Sequence, residues 1–208
     1  MSPFDLLAIV SVPATVGALV RVGYLLIRKR TAAARKTATR LATFVAIYAI
    51  TLIVVSLVSP KKVLEIGTVR CFDEWCITVT SASRQPSIGD VPATGIFYVV
   101  TVRVSSRSRG RRQRESDMCP DLTDSRGRRF DISPLGQNAL QRIGLAGKPM
   151  TSFVDPGGTF DSRLAYDVPQ DATDVGFVKT GCGWLPNPII GDSGSFLHRP
   201  TTVRLGTS

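Results

Sequence analysis

TFDSRLAYDV, residues 159–168, alternates without a slip. Phe160, Ser162, Leu164, Tyr166 and Val168 fall on one side of an extended chain, and Thr159, Asp161, Arg163, Ala165 and Asp167 on the other. A period of two marks a strand with one buried face. IFYVVTVRV, residues 96–104, repeats the pattern with Ile96, Tyr98, Val100, Val102 and Val104 on one face. Working outward, Val63–Val69, Cys76–Ser83, Met118–Thr123, Arg129–Ile132, Asp174–Lys179 and Thr201–Leu205 are further strand candidates. Turn-forming clusters separate them: Asp124-Ser125-Arg126-Gly127, Asp155-Pro156-Gly157-Gly158 and Pro169-Gln170-Asp171. Only Gln137–Leu145 has room for a short helix. Short strands at this spacing predict an all-β antiparallel sandwich of about 7–8 strands over residues 61–208.

The first sixty residues read differently. LATFVAIYAITLIVVSLV, Leu41–Val58, is an eighteen-residue run without a charge, about the minimum for a helix crossing roughly 30 Å of hydrocarbon. Phe4–Ile27 is a second apolar run, interrupted by Arg21 and containing Pro13. It lacks the basic n-region of a secretory signal and carries Asp5 there instead. Read as a span, it leaves Arg21 able to snorkel to the headgroups; the competing reading is a re-entrant or interfacial segment. Between the runs, a predicted loop 28–40 carries Arg28, Lys29, Arg30, Arg35, Lys36 and Arg40 with no acid. The positive-inside rule puts such a loop in the cytoplasm. Transmembrane helices over about 4–27 and 41–58 then leave the N-terminus and residues 61–208 outside. The second span alone would deliver the large domain to the same side. The formal charge of +10 follows this division, with a net +6 in residues 1–60 and +4 in the remainder. Its excess is chiefly a topology signal, which argues against nucleic acid as a partner.

CFDEWCITV (71–79), FYVVTVRVSS (97–106), DLTDSRGRRF (121–130), VDPGGTFDSRLAYDVPQDATDVGFV (154–178) and IIGDSGSFLHRPTTVRL (189–205) follow one another in order. Over roughly residues 63–207 this series resembles the immunoglobulin-like (telokin-like) domain of unknown function that many bacterial lipoproteins and membrane proteins carry outside the membrane. The resemblance implies an immunoglobulin-like sandwich at the bacterial plasma membrane and supplies no catalytic residues. This chain departs from the pattern in Lys179–Ser195, which is longer and richer in Gly and Pro than a simple link.

All four cysteines, Cys71, Cys76, Cys119 and Cys182, lie beyond the second apolar run, on the side where disulfides persist. Three pairings are open. The spacing of Cys71 and Cys76 suits a bridge across a hairpin tip with Cα atoms about 5.5 Å apart. That choice leaves Cys119 to pair with Cys182 around a long loop. The competing uses are a zinc site, disfavoured because two of the cysteines are isolated, and thiol-redox chemistry, disfavoured because no Cys-x-x-Cys is present.

Ser105–Arg114 contains Arg107, Arg109, Arg111, Arg112 and Arg114 without an acid. It reads as a solvated loop, or as a contact for an anionic surface such as lipid headgroups, wall polymer or an acidic partner. The loop holds no aromatic for base stacking. Gly191-Asp192-Ser193-Gly194 imitates a serine-protease nucleophile, but the only histidine, His198, stands five residues downstream. Asp117, Asp121, Asp124, Asp155, Asp161, Asp171 and Asp174 read as turn residues and match no calcium loop. Trp75 and Trp184 read as packing residues. The expectation is a non-catalytic binding or assembly module at the cell envelope, without cofactor or metal, whose partners are membrane lipid and an envelope protein or polymer. A structural subunit docking through its helices is the alternative, and a thiol-redox protein a more distant one.

Overall fold

The computed structural model describes residues 3–58, 60, 62–116, 118–182 and 200–206, with side chains from Val10 onward. The sequence readings for Lys61, Asp117, Trp184, the Gly191–Gly194 turn and His198 lie outside the described residues. The chain divides into a helical unit and a β unit.

The helical unit is a hairpin of α1, Pro3–Ile27, and α2, Thr31–Val58. Both are long and apolar enough to cross a membrane. The basic segment is not the loop expected over residues 28–40. Only Arg28–Arg30 lie between the helices, and α2 begins ten residues before its apolar run. Thr31, Ala32, Ala33 and Ala34 explain the early start, since alanine has the highest helix propensity. Arg35, Lys36 and Arg40 therefore project from the first turns of α2. The reversal is a Schellman cap: Lys29 adopts φ 54°, its N–H donates to Leu26, and the Arg30 N–H donates to Leu25.

The β unit stacks two sheets. The sheet order is β2 (Val69–Phe72), β3 (Trp75–Ile88), β4 (Val91–Ser106), β7 (Thr159–Val168) in one. The other runs β1 (Val63–Leu64), β9 (Thr202–Arg204), β8 (Gly176–Thr180), β5 (Cys119–Thr123), β6 (Arg129–Phe130). The β-sandwich is as expected, with two differences among the described residues. There are nine strands rather than seven or eight, because two are only two residues long. One pair, β1 with β9, is parallel.

One of the two faces that alternation separates lines the main core. Tyr98, Val100, Val102 and Val104 of β4 meet Leu164, Tyr166 and Val168 of β7, together with Leu122, Phe177 and Val203 from the second sheet. Tyr166 is fully buried, and its hydroxyl crosses the sandwich to donate to the Pro120 carbonyl at 2.9 Å. Burial first, then the Asp121 and Asp131 charges, push its phenol well above the usual range. On the outer face of the four-stranded sheet, Phe97, Val99, Ala165 and Ile88 form a second core with Ala139 and Leu140. Those two alanine and leucine side chains belong to α3, Pro134–Arg142, which starts three residues before the expected helix. Ser133 sets the start: its Oγ accepts the Gly136 N–H at 3.2 Å, and Pro134 follows at the first helical position.

Two carboxylates lock the turns. Asp124 accepts the N–H groups of Arg126 and Arg128 and pairs with the Arg128 guanidinium at 2.7 Å, its own side chain wholly buried. Arg128 and Arg126 also hold Asp171, which ties the β5–β6 turn to the β7–β8 connection. Burial acts to raise the Asp124 carboxyl, but the Arg128 side-chain and backbone hydrogen bonds, its charge and the Arg126 N–H together hold it below the usual carboxylate value. Arg128 does the same to Asp171, first through its hydrogen bonds.

Two outcomes follow. At Gly136 an added Cβ would stand 2.9 Å from Ala165 Cβ and from a ring carbon of Phe97. Gly136→Ala should therefore cost about 1–3 kcal/mol in urea unfolding, opposite in sign to the usual gain from Gly to Ala in a helix. A depressed carboxyl contributes stability that is full above its unfolded pKa of about 3.9 and is lost as pH falls through the folded value. Asp124→Asn should lower Tm by a few degrees at neutral pH. The gap from the parent protein should then narrow when both are melted in acid.

Candidate functional site

One end of the sandwich collects most of the residues singled out in the sequence. The ammonium of Lys179, near the end of β8, stands 4.4 Å over the Phe72 ring at the tip of the β2–β3 hairpin. The tip and the end of β8 therefore share one end. Strand β9 runs antiparallel to β8 and so starts there; β1 runs parallel to β9 and starts there too. Strand β4 finishes beside Trp75, and β5, antiparallel to β8, starts at this end. The arginine-rich connection from β4 to β5 thus spans the same end at which the chain enters the sandwich at Lys62.

That connection is less free than a solvated loop. Ser105 and Ser106 still belong to β4. Ser108 is buried; its N–H donates to the Ser106 hydroxyl, and its own Oγ accepts the Arg111 N–H. The Arg107 N–H donates to the Glu74 carbonyl at 2.7 Å, and the Gln113 amide donates to the Glu74 carboxylate at 2.7 Å. Gln113 and Val154 exchange both backbone hydrogen bonds. These contacts divide the five arginines. Arg112 pairs with Asp155 at 2.8 Å and lies 5.4 Å from the Phe153 ring centre, and Arg114 lies 4.8 Å from the same ring. Arg107, Arg109 and Arg111 are exposed and have no ion-pair partner among the described residues.

Phe153 escaped the sequence reading. The connection carries no aromatic of its own, but the fold brings one to it from the segment before β7, and 47% of its surface remains exposed. The only advance signal was its place four residues before the Gly157-Gly158 turn. Arg70, 4.6 Å over Phe72, and Lys179 add positive charge at this end. Asp73, Glu74, Asp155 and Glu115 are the described carboxylates close by in the same elements.

Trp75 is buried in the core, as a packing residue, with its indole N–H unpaired among the described residues. The aspartates are not all turn residues. Asp121 is buried within β5, bonded to Arg129 and within 3.3 Å of the Thr180 hydroxyl. Asp161 sits in β7 opposite Arg103, 2.8 Å away, which holds its carboxyl below the usual value. No three His, Cys, Asp or Glu side chains converge as metal ligands among the described residues. A cleft of about 250 Å³ under α3 is lined by Met118, Ile132, Met150 and Leu164, with Gln137 at its rim. Gln137 is already engaged, donating to the Arg163 carbonyl and accepting the Ala165 N–H, so it caps the edge of β7.

No protein-family model matches the chain, and no curated protein matches it. Among solved structures, a conserved hypothetical protein from Bacillus anthracis aligns with a TM-score of 0.45 at 12% identity, covering 57% of this chain and 89% of its own. An uncharacterized beta-sandwich protein from Clostridium difficile 630 aligns with a TM-score of 0.41 at 13% identity, covering 71% and 97%. The secreted protein MPT63 from Mycobacterium tuberculosis aligns with a TM-score of 0.41 at 12% identity, covering 57% and 89%. The neighbours are thus uncharacterised or secreted proteins, and such distant likeness assigns no activity.

Both disulfides lie at this end: Cys71–Cys76, with Cα atoms 3.9 Å apart, and Cys119–Cys182, at 5.1 Å. The first pair is closer than the expected 5.5 Å or so. The two cysteines are direct cross-strand partners one step from the tip, where Asp73 turns the chain at φ 54°. In the loop-entropy relation, separations of 63 and 5 residues correspond to about 4 and about 2 kcal/mol. Replacing Cys119 and Cys182 by serine should accordingly shift the urea midpoint about twice as far as replacing Cys71 and Cys76.

Proposed function

We propose that the chain is a membrane-anchored, non-catalytic binding or assembly module. In this reading two spans hold an immunoglobulin-like sandwich outside the cytoplasm of a bacterium, where it engages an envelope protein or polymer. One observation carries the proposal. Val12, Val16, Leu19 and Val20 of α1, with Ile47, Ile50, Val54 and Leu57 of α2, are large apolar side chains left exposed by the protein itself. An apolar surface of that extent calls for lipid rather than water. Six basic residues at the α1–α2 reversal and the first turns of α2 favour a cytoplasmic location for that end. Two disulfides in the β unit suit the opposite compartment.

The immunoglobulin-like assignment is supported by the two face-to-face sheets, the parallel edge pair of β1 with β9, and the ordered motifs from CFDEWCITV to the final strand. The non-catalytic assignment draws on the buried polar groups, which are committed to holding the fold. Asp121 serves Arg129, Asp124 serves Arg128, and the Tyr166 hydroxyl serves Pro120.

Intact cells treated with a membrane-impermeant maleimide, before and after an impermeant reductant, test the topology. Labelling should appear only after reduction, and the protein should stay in the pellet on alkaline carbonate extraction. Labelling that needs permeabilised cells, or release by carbonate, would overturn the reading.

A further inference from the structure

We propose that the basic end of the sandwich docks on anionic lipid headgroups of the membrane that carries the helices, through Arg107, Arg109 and Arg111. The inference rests on the anchored reading above and names the ligand of this end.

Three observations lead to it. Strand β1 starts at the arginine end, so the chain arriving from α2 joins the sandwich there. Only residues 59–62 separate α2 from β1, and four extended residues reach at most about 14 Å. The tether from α2 is therefore short and attaches at this end rather than at the opposite one. The chemistry of the end also matches a phosphate-rich surface. Arg107, Arg109 and Arg111 are exposed without ion-pair partners among the described residues, and Lys62, Arg70 and Lys179 stand at the same end. Of the four carboxylates there, Glu74 is held by Gln113 and Asp155 by Arg112, Glu115 is engaged within the protein, and Asp73 projects at the hairpin tip. Finally, the arginines are presented on a fixed backbone. Ser106, Ser108, Glu74 and Val154 bind the connection at four points, which lowers the entropic cost of holding several guanidinium groups toward one surface. Phe153, half exposed beside Arg112 and Arg114, adds an aromatic ring of the kind that favours a membrane–water interface.

Wall polymer offers similar phosphate chemistry, but the short tether favours lipid, which is always within reach. The test uses the full chain in nanodiscs of phosphatidylcholine alone and of equal parts phosphatidylcholine and phosphatidylglycerol, read by amide hydrogen exchange. Each basic residue near an anionic surface contributes on the order of fivefold to binding. Peptides covering 107–114 should therefore exchange at least about fivefold more slowly in the anionic discs. The difference should vanish at about 1 M salt, where the screening length is about 3 Å. It should also vanish in the combined variant R107Q/R109Q/R111Q, with exchange in β4 and β7 unchanged. Arg112 and Arg114 are kept because they hold Asp155 and Phe153.

Equal exchange in the two discs, whether slow or fast, would overturn the inference. So would protection in phosphatidylcholine discs by soluble poly(glycerol phosphate) without any effect of phosphatidylglycerol, which would assign the end to polymer instead. A chain that fails to enter discs of either kind would overturn the anchored reading itself.

Discussion

Strand β4 is buried on both faces over Phe97–Val100, and the β unit is arranged to satisfy that constraint. Tyr98 and Val100 require a second sheet on one side, whereas Phe97 and Val99 require a cover on the other. The cover is α3, brought so close that only glycine fits at position 136. From residue 101 the outer face turns polar, with Arg103 paired to Asp161, and α3 is no longer needed there. The remaining apparatus follows from the need to hold α3 and the sheet edge together. Ser133 donates its N–H to Ala165, Gln137 caps two backbone groups of β7, and the segment at Ala146–Lys148 pairs along the same edge. An edge strand protected in this way has few unpaired groups to offer another chain.

The parts of the fold that showed in the sequence are those whose side chains carry the information. Thr159–Val168 alternates from end to end, and its observed limits coincide with the reading. Strand β3 was underestimated, ending at Ser83 in the reading and at Ile88 in the structure. Its second half, largely polar from Ser83 to Ser87 before the buried Ile88, is held by backbone pairing to β4, which no side-chain period reports. The Gly89-Asp90 turn that joins the two strands, with Gly89 at φ 59°, was the available clue. The start of α3 was marked by Ser133-Pro134 rather than by an apolar stripe. The early start of α2 was marked by its alanines.

The candidate site was legible as composition and illegible as geometry. Five arginines within eight residues announce charge, but only the partners decide which remain available. Arg112 is taken by Asp155 and shares Phe153 with Arg114, residues some forty positions away in the chain. The clustering of both disulfides with the arginines is likewise a product of strand direction. It follows from β8 and β2 finishing at the same end while β1, β5 and β9 begin there.

The placement of the Cys71–Cys76 bridge has a mechanical meaning. A tensile load arriving at Lys62 meets first the two-residue β1–β9 pair and then β2, neither of which offers much resistance to peeling. Residue 71 is the first covalent stop, since it is bonded directly into β3, one of the two longest strands of the sheet. The chain ahead of that stop is therefore a short extensible leader, and the sandwich behind it would begin to share the load only once the leader is drawn out.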